Sequence, residues 1–396
     1  MSSLLTREFT AIQSTLRDEG LDGWLLYDAH GLNPLAHQIA GIQGVVTRRW
    51  FALIPASGQP RFLFHRIENL SFEPMPGEKR VYRTWQGLDE GIDWVLSGCK
   101  RVAMEYSPDN AIPYVARVDA ATIEKVRARK VEVVSSADLI ARFLATWTPA
   151  QVETHHRAAK ALLEIKDLAF TFISEKVRSR SPLNEFQVAE FIRGEFARRG
   201  MYNHNEGPIC AVDANAGNPH YDPTAEKCAS VGPNQLVLLD LWAKFDEPDA
   251  VYADITWTGY TGTTVPDEIR KVFSIVAAGR DRAVAFANDA FARGETVHGF
   301  DLDRATRKVI TDAGYGDYFI HRTGHSIGRQ VHDVGPNIDD LETQDRRKLQ
   351  EGVAFTIEPG IYLPHFGIRS EINVIIQNHR AVVTTLPLQT EVVCLV

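Results

Sequence analysis

The chain has 396 residues, more than one hydrophobic core usually fills, so we expect two domains. Hydrophobic residues make up 44% of the sequence and charged residues 24%, which is the balance of an ordinary globular protein. The 51 acidic residues outnumber the 43 basic ones, and the net charge of −8 argues against a nucleic-acid groove or a polybasic membrane patch.

The first residues, beginning Met1-Ser-Ser-Leu, lack the apolar core of a secretion signal, and no apolar run reaches the length of a membrane span. The four cysteines lie far apart and form no Cys-x-x-Cys pair, so we expect buried free thiols rather than a zinc ribbon. These features together predict a cytoplasmic protein.

The first part of the chain alternates helical and strand patterns. Leu5, Phe9, Ile12 and Leu16 recur at helical spacing within residues 4–20, and a strand pattern begins at Gly23. Further short apolar runs, at 50–54 and 61–64, alternate with helical segments to about residue 145. This pattern predicts an α/β domain, and the domain carries no recognisable catalytic motif.

A second domain is expected to begin near Pro149. Proline suits the first turn of a helix, and helical patterns follow to about Arg178 and again over about 184–199. From residue 208 onward strand patterns predominate, interrupted by amphipathic helices at about 266–293 and 301–313. We therefore predict domains at 1–147 and 148–396. The second domain also holds all of the net negative charge, since residues 1–150 contain 17 basic and 17 acidic side chains.

Four acidic residues stand inside apolar strand patterns of the second domain. A buried, ionised carboxylate without a partner costs several kcal/mol, so each acid needs a cation or must remain protonated. A salt bridge would explain any one of them, but Arg369 and Lys244 are the only basic residues in or beside these strands. Bound metal would neutralise the group. The four acids are Asp240, Asp254, Glu358 and Glu371.

A histidine-rich segment adds an imidazole to this set. His321, His325 and His332 fall within twelve residues, and Gly324 and Gly328 flank His325. Carboxylates with one imidazole form a fairly hard ligand set that suits Mn²⁺, with Co²⁺, Fe²⁺ or Zn²⁺ as alternatives. Two such metals can share carboxylates and activate a water near neutral pH.

The same residues resemble the pita-bread metallopeptidases, the family of prolidase, aminopeptidase P and methionine aminopeptidase. The resemblance rests on Leu239-Asp240, Tyr252-Ala-Asp254-Ile-Thr256, Gly324-His325-Ser-Ile-Gly328, Thr356-Ile-Glu358-Pro-Gly-Ile-Tyr362 and Ile368-Arg-Ser-Glu371. It covers residues 150–396, and the first 145 residues resemble a creatinase-like amino-terminal domain. The expected fold class is therefore α/β followed by α+β, with a creatinase-like domain before a pita-bread catalytic domain.

The resemblance implies a role for each matching residue. Asp240 would chelate one of two divalent metals, Asp254 and Glu371 would bridge both, and His325 with Glu358 would complete the second site. Glu358 would also accept a proton from the bridging water. His220 and His332 match two substrate histidines. His321, Tyr362 and Arg369 match positions whose side chains would orient the metal ligands or contact a peptide carboxylate.

The resemblance further implies hydrolysis of the Xaa-Pro bond in short peptides with proline second, by a homodimeric aminopeptidase or dipeptidase. Trp242 stands where the family usually has glycine, Trp257 replaces a basic residue, and Ile372 stands where a second acid often follows the last ligand. These departures would reshape the substrate pocket.

Three alternatives remain open. Relatives on this fold include non-peptidases such as creatinase, an ectoine-type hydrolase and a sulfoniopropionate lyase, and also binding modules that usually lose the ligands. Gly324-His-Ser326-Ile-Gly328 also matches the Gly-x-Ser-x-Gly elbow of serine hydrolases. That elbow requires a strand before the serine and a helix after it. The residues after Gly328 show no helical stripe, and this alternative leaves the four acids unexplained.

Overall fold

The computed structural model describes residues 3–204 and 206–396. The chain divides into two compact units, the first ending at Leu144 and the second beginning at Ala145. The creatinase-like character of the first unit stays a prediction.

The first unit is built on one six-stranded sheet with helices between its strands. Its elements are α1 (Leu4–Asp18), β1 (Gly23–Asp28), α2 (Pro34–Ala40), β2 (Trp50–Pro55), β3 (Arg61–His65), α3 (Asn69–Phe72), β4 (Glu78–Tyr82), α4 (Trp85–Val95), β5 (Arg101–Met104), α5 (Ala120–Arg127), β6 (Glu132–Ser135) and α6 (Ala137–Leu144). The strand order is β4-β3-β2-β1-β5-β6, and β2 runs antiparallel to both of its neighbours. The remaining pairs are parallel, as expected where helices connect strands.

The second unit combines long helices with three sheets. Its elements are α7 (Pro149–Arg178), α8 (Glu185–Arg198), β7 (Met201–Tyr202), β8 (Ile209–Val212), β9 (Leu236–Phe245), β10 (Ala253–Tyr260), α9 (Asp267–Ala292), α10 (Gly299–Asp312), β11 (Ala354–Ile357), β12 (Gly360–Tyr362), β13 (Gly367–Arg369), β14 (Ile372–Ile376), β15 (Ala381–Val383) and β16 (Val393–Cys394). The largest sheet has the order β16-β10-β9-β7, with β8 also paired to β9. The others are β11-β14-β15 and β12-β13.

Helix α7 begins as its sequence predicts. Thr148 is the N-cap, its side chain and that of Gln151 form a capping box, and Pro149 occupies the first turn. The apolar face of α7, including Leu162 and Ile165, packs in one core with Leu239 and other residues of β9 and β10. The helix therefore covers one face of this sheet and leaves the opposite face for the site.

One strand prediction is wrong. The sequence pattern places Glu371 inside a strand, but Glu371 lies between two strands, where the backbone changes sheets. β13 pairs with β12, whereas β14 pairs with β11 and β15. At the break, the N–H of Glu371 donates to the carbonyl of Thr256 in β10 over 3.3 Å. The break frees Glu371 from both ladders and directs its backbone to β10.

Two further expectations can be checked against the described residues. The described helices include no segment that combines the length and the hydrophobicity of a membrane span. All four cysteines are free, but only Cys210 is buried, and Cys394 is exposed. The expectation of buried thiols is therefore confirmed for Cys210 alone, since Cys99 and Cys228 are half-buried and Cys394, in the short strand β16, is exposed.

Candidate functional site

Strand alternation directs Asp240 and Asp254 to the same side of the large sheet. Side chains point alternately to the two faces of a strand. Leu239 and Leu241 pack in the core beneath α7, so Asp240 between them faces away from that helix. Ile255 packs in the same core, which gives Asp254 the same orientation on β10. Both carboxylates line a cavity of about 310 Å³.

His325 and Glu358 reach this cavity from a short antiparallel contact. The N–H of His325 donates to Thr356 Oγ1 over 2.9 Å, and the N–H of Thr356 donates to the His325 carbonyl over 2.8 Å. The preceding glycine allows this approach, because a Cβ on Gly324 would lie 2.0 Å from the Thr356 carbonyl oxygen. Glu358 follows β11 directly, and its N–H donates to the carbonyl of Thr323 over 2.7 Å.

The five predicted ligand positions converge on the cavity. Ligand atoms of Asp254, His325 and Glu371 all lie within 4.8 Å of one another. His325 Nε2 lies 3.7 Å from Asp254 Oδ2 and 3.3 Å from Glu358 Oε1. Asp254 Oδ1 and Glu371 Oε1 are buried and accept no hydrogen bond from the described residues. Such oxygens are costly to bury, and a cation placed among them would satisfy both.

The electrostatics of the cluster also favour a cation. Burial and neighbouring carboxylates raise the pKa of Asp254 and Glu371 well above their ordinary values. Burial lowers the pKa of His325 to about 3, so its imidazole is neutral, the form that ligates a metal. Arg369 makes ion pairs with Asp240 and Glu358, and the charge of Arg322 also acts on Glu358, so the four carboxylates still outnumber the cationic side chains beside them.

Arg369 connects the cluster to two further predicted residues. Its guanidinium donates from Nη2 to Asp240 Oδ2, from Nε to Thr256 Oγ1 over 3.1 Å, and from Nη1 to the Tyr362 hydroxyl over 3.1 Å. The Tyr362 oxygen lies 2.7 Å from His321 Nε2, while His321 Nδ1 lies 2.6 Å from the Arg322 carbonyl. Because that carbonyl can only accept, Nδ1 carries the proton and Tyr362 donates to Nε2. The chain of hydrogen bonds engages all three guanidinium nitrogens of Arg369.

The two predicted substrate histidines also line the cavity. The His332 ring lies edge-on to the His325 ring, with 4.2 Å between the ring centroids. Electrostatic repulsion from His325, together with burial, lowers the pKa of His332 to about 3, so His332 is neutral. The His220 imidazole makes no hydrogen bond to the described residues, which leaves both of its nitrogens available to a ligand.

The three residues that depart from the family pattern differ in whether they line the cavity. Trp242 is among the lining residues, and its six-membered ring packs so closely on Gly207 that a Cβ there would lie 2.3 Å away. Trp257 and Ile372 are not among the described residues that line the cavity. The Trp257 ring instead packs under Lys166 Nζ at 3.9 Å. Only Trp242 shapes the pocket directly, so the expectation for Trp257 and Ile372 was wrong.

Several residues that orient the site received no role from the sequence. Thr256 Oγ1 donates to Glu371 Oε2 over 2.7 Å, and Thr356 Oγ1 donates to Glu358 Oε1 over 3.1 Å. Each threonine stands two residues from a candidate ligand, so strand alternation could have placed it on the same face. Glu206, Arg322 and Glu342 also line the cavity, but they lie in loops whose course no periodicity indicates.

Ser326 does not have the surroundings of a nucleophile. Its hydroxyl is buried and has no hydrogen-bond partner among the described residues. A turn and loop segment follows it, where a nucleophile elbow requires a helix. The serine-hydrolase alternative therefore lacks both the base and the helix that it needs.

Comparison with known proteins identifies relatives of this chain. The sequence model of metallopeptidase family M24 matches residues 153–378. The Xaa-Pro dipeptidase of Lactobacillus helveticus is 37% identical over 175 residues, 44% of this chain and 43% of that protein. An uncharacterized peptidase of Staphylococcus epidermidis is 29% identical over 211 residues, 53% of this chain and 54% of that protein. The alignments thus span about half of these relatives' length.

Solved structures match nearly the whole chain. The dipeptidase PepE from Mycobacterium ulcerans superposes with a TM-score of 0.71 and 22% identity, covering 99% of this chain and 98% of that one. The prolidase from Pyrococcus horikoshii OT3 superposes with a TM-score of 0.62 and 22% identity, covering 98% of this chain and 100% of that one. At this identity the likeness shows the fold, and the predicted pita-bread fold is confirmed.

Proposed function

Because the chain belongs to metallopeptidase family M24, we propose that it is a dinuclear metallopeptidase that hydrolyses the Xaa-Pro bond of short peptides. One observation carries the metal part of the proposal. Asp254 Oδ1 and Glu371 Oε1 are buried without a partner in the described structure, beside a neutral imidazole. Carboxylates with one imidazole suit a divalent metal ion, as expected for a metal-dependent family.

We assign five residues to two divalent ions. Asp240 would serve one ion, Asp254 and Glu371 would serve both, and His325 with Glu358 would serve the other. The four carboxylates make Mn²⁺ the preferred ion, with Co²⁺, Zn²⁺ or Fe²⁺ as alternatives. When bound, such ions lower the pKa of water and supply a nucleophile near neutral pH.

The chain's own residues would handle the proton and the developing charge. Glu358 lies 3.3 Å from His325 Nε2 and receives a hydrogen bond from Thr356, which orients its carboxylate to accept a proton from the attacking water. His332 is neutral and lines the same cavity, so one ring nitrogen can donate to the scissile carbonyl oxygen as negative charge develops there. His220, which lines the same cavity, would donate a further hydrogen bond to the substrate. Hydrogen bonds from Arg369 and Thr256 would hold the carboxylates of Asp240 and Glu371 in place.

The walls of the cavity support a short substrate with an apolar residue. Trp242, Ile209 and Pro219 give it an apolar wall, and its volume of about 310 Å³ is at the small end for ligand pockets. A prolyl ring is rigid, apolar and lacks an amide N–H, so it can be held by stacking and burial alone. The names of the Lactobacillus helveticus and Pyrococcus horikoshii relatives support the same substrate class.

The test uses the full chain loaded with Mn²⁺. Ala-Pro or a short Xaa-Pro-Yaa peptide should be cleaved, Ala-Ala should be cleaved far more slowly, and a chelator should abolish activity until Mn²⁺ or Co²⁺ is restored. The conservative variant Ser326→Ala should remain active. Equal cleavage of Ala-Pro and Ala-Ala would refute the proline assignment, and activity that withstands complete chelation would refute the metal assignment.

A further inference from the structure

Glu185, the first residue of α8, has a fully buried carboxylate whose hydrogen-bond partners in the described structure are all neutral. Backbone N–H groups of Val212 and Ala229 donate to it over 2.7 and 2.6 Å. Asn215 Nδ2 lies 3.0 Å from each carboxylate oxygen, and the Tyr221 hydroxyl donates over 2.5 Å. Five hydrogen-bond contacts from four residues therefore converge on this one side chain.

The two backbone donors lie at the two ends of one segment of the chain. Val212 ends β8 and Ala229 precedes β9, so Glu185 holds both ends of residues 213–228. Asn215 and Tyr221 attach the interior of the segment to the same carboxylate. Most of the segment is turn and loop, without strand pairing of its own. The carboxylate of a different element therefore helps to set its geometry, together with the hydrogen bonds that Asp213 accepts from Gln235 and Leu236.

The segment carries His220 to the active-site cavity. Tyr221, the next residue, has a buried ring that packs with Ala211 and Leu238. The N–H of His220 donates to Asn218 Oδ1 over 3.1 Å, and the N–H of Tyr221 donates to the Asn218 carbonyl over 3.0 Å. Since the imidazole has no hydrogen bond to the described residues, the backbone of this turn determines where it points.

We propose that Glu185 is a positioning residue that holds His220 at the active-site cavity through Tyr221. The inference rests on the proposed function, in which His220 contacts the substrate. A displacement of about 1 Å at a catalytic group can reduce turnover by about 100-fold, so a rigid anchor one residue away matters for rate.

The first test is Tyr221→Phe, which keeps the buried ring and removes one hydroxyl. With the Mn²⁺-loaded full chain and Ala-Pro, kcat should fall about tenfold, while KM and metal content stay within a factor of two of wild type. Tyr82→Phe is the matched control, because Tyr82 is also buried and donates its hydroxyl to a carbonyl, that of Arg49, over 2.8 Å in the first unit. It should leave kcat unchanged. An unaltered kcat in Tyr221→Phe would overturn the proposal.

A double-variant cycle separates positioning from general loss of stability. In a His220→Ala background, Tyr221→Phe should cause no further loss of kcat, because its effect passes through the imidazole. The same fold-loss in both backgrounds would overturn the proposed route.

Hydrogen exchange gives a readout that does not need activity. Amides of residues 213–228 should exchange faster in Tyr221→Phe than in wild type, and Tyr82→Phe should not change them. Unchanged exchange would overturn the anchor even if the enzyme is active. Absence of Xaa-Pro cleavage by the wild-type chain would instead count against the proposed function, and exchange would still decide whether Glu185 and Tyr221 hold the segment.

Discussion

The backbone N–H of Asp254 donates a hydrogen bond to Asn373 Oδ1 over 2.9 Å, which joins β10 to β14 beside two candidate metal ligands. Asn373 stands two residues after Glu371, and its own N–H donates to Thr385 Oγ1 over 2.9 Å. The amide side chain of Asn373, in β14, thus fixes the backbone of Asp254. The other candidate ligand, Glu371, directly precedes β14.

Asn373→Ala should lower the free energy of unfolding by about 1–3 kcal/mol, because the buried N–H of Asp254 loses its acceptor. It should also weaken Mn²⁺ binding by about 10–100-fold, since the backbone that orients Asp254 loses support. Denaturant unfolding and metal titration measure the two effects.

Asn288→Ala is the control for this variant. Asn288 Oδ1 accepts from the N–H of Ala381 over 2.9 Å and joins α9 to β15, and Asn288 does not line the cavity. Its loss should reduce stability while Mn²⁺ affinity stays at the wild-type value. Wild-type affinity in Asn373→Ala would contradict the orienting role of Asn373.

Metal binding should release protons in the pH range above that in which free carboxyls ionise. The pKa values of Asp254 and Glu371 are raised well above their ordinary values by burial and neighbouring carboxylates, so in the metal-free chain these groups retain protons where free carboxyls have lost them. His321, His325 and His332 have pKa values of about 3 and carry no proton to release near neutral pH. Apparent Mn²⁺ affinity should therefore fall as the pH falls.

Calorimetric titration in two buffers with different ionisation enthalpies measures this release. The observed heats should differ between the buffers by the number of protons released multiplied by the difference in buffer ionisation enthalpy. Equal heats in both buffers would show that metal binding displaces no protons from the cluster.

Arg369→Lys should reduce kcat by the same factor for Ala-Pro and for a longer Xaa-Pro-Yaa peptide. The three guanidinium nitrogens already contact Asp240, Thr256 and Tyr362, and the side chain is 5% exposed. An arginine so engaged orients ligands, and a lysine cannot make all three contacts. Steady-state kinetics with both substrates tests this, with the exposed Arg346→Lys as the control. A much larger loss for the dipeptide would indicate that Arg369 binds the substrate carboxylate instead.

Trp242→Gly should widen the range of substrates. The indole lines the cavity on the same strand face as Asp240, so its removal opens space beside the metal ligands. We expect kcat/KM for a bulky peptide such as Phe-Pro to rise relative to Ala-Pro. Trp257→Gly, which removes an indole that does not line the cavity, should leave that ratio unchanged. A constant ratio in Trp242→Gly would show that Trp242 does not limit the substrate.

The sequence predicts the strands that carry this site better than it predicts how those strands pair. Alternation along β9 and β10 is enough to separate Leu239 and Ile255, which pack under α7, from Asp240 and Asp254 on the other face. Local pattern could not reveal that the chain changes sheets at Glu371, because residues typical of strands flank the break on both sides. That change depends on the pairing of β13 with β12 and of β14 with β11, which the pattern within one strand does not determine.

Loop-borne residues were harder to predict for a related reason. His220 was identified through the resemblance alone, and the anchor that holds its turn, Glu185, lies on a helix and reads as an ordinary first-turn acid. Its burial arises only when residues 212–229 fold over it. Tertiary contacts of this kind leave no periodic signal in the sequence.

The most direct test of the account is the metal content of purified, Mn²⁺-reconstituted protein, measured by elemental analysis alongside Glu371→Ala. Glu371 is proposed to serve both ions, and one of its oxygens is buried without a partner in the described structure. The account predicts about two metal equivalents per chain in the wild type and loss of both in the variant, with turnover reduced by orders of magnitude. A fully active wild-type protein that contains no transition metal, or a Glu371→Ala variant that keeps wild-type metal content, would contradict it.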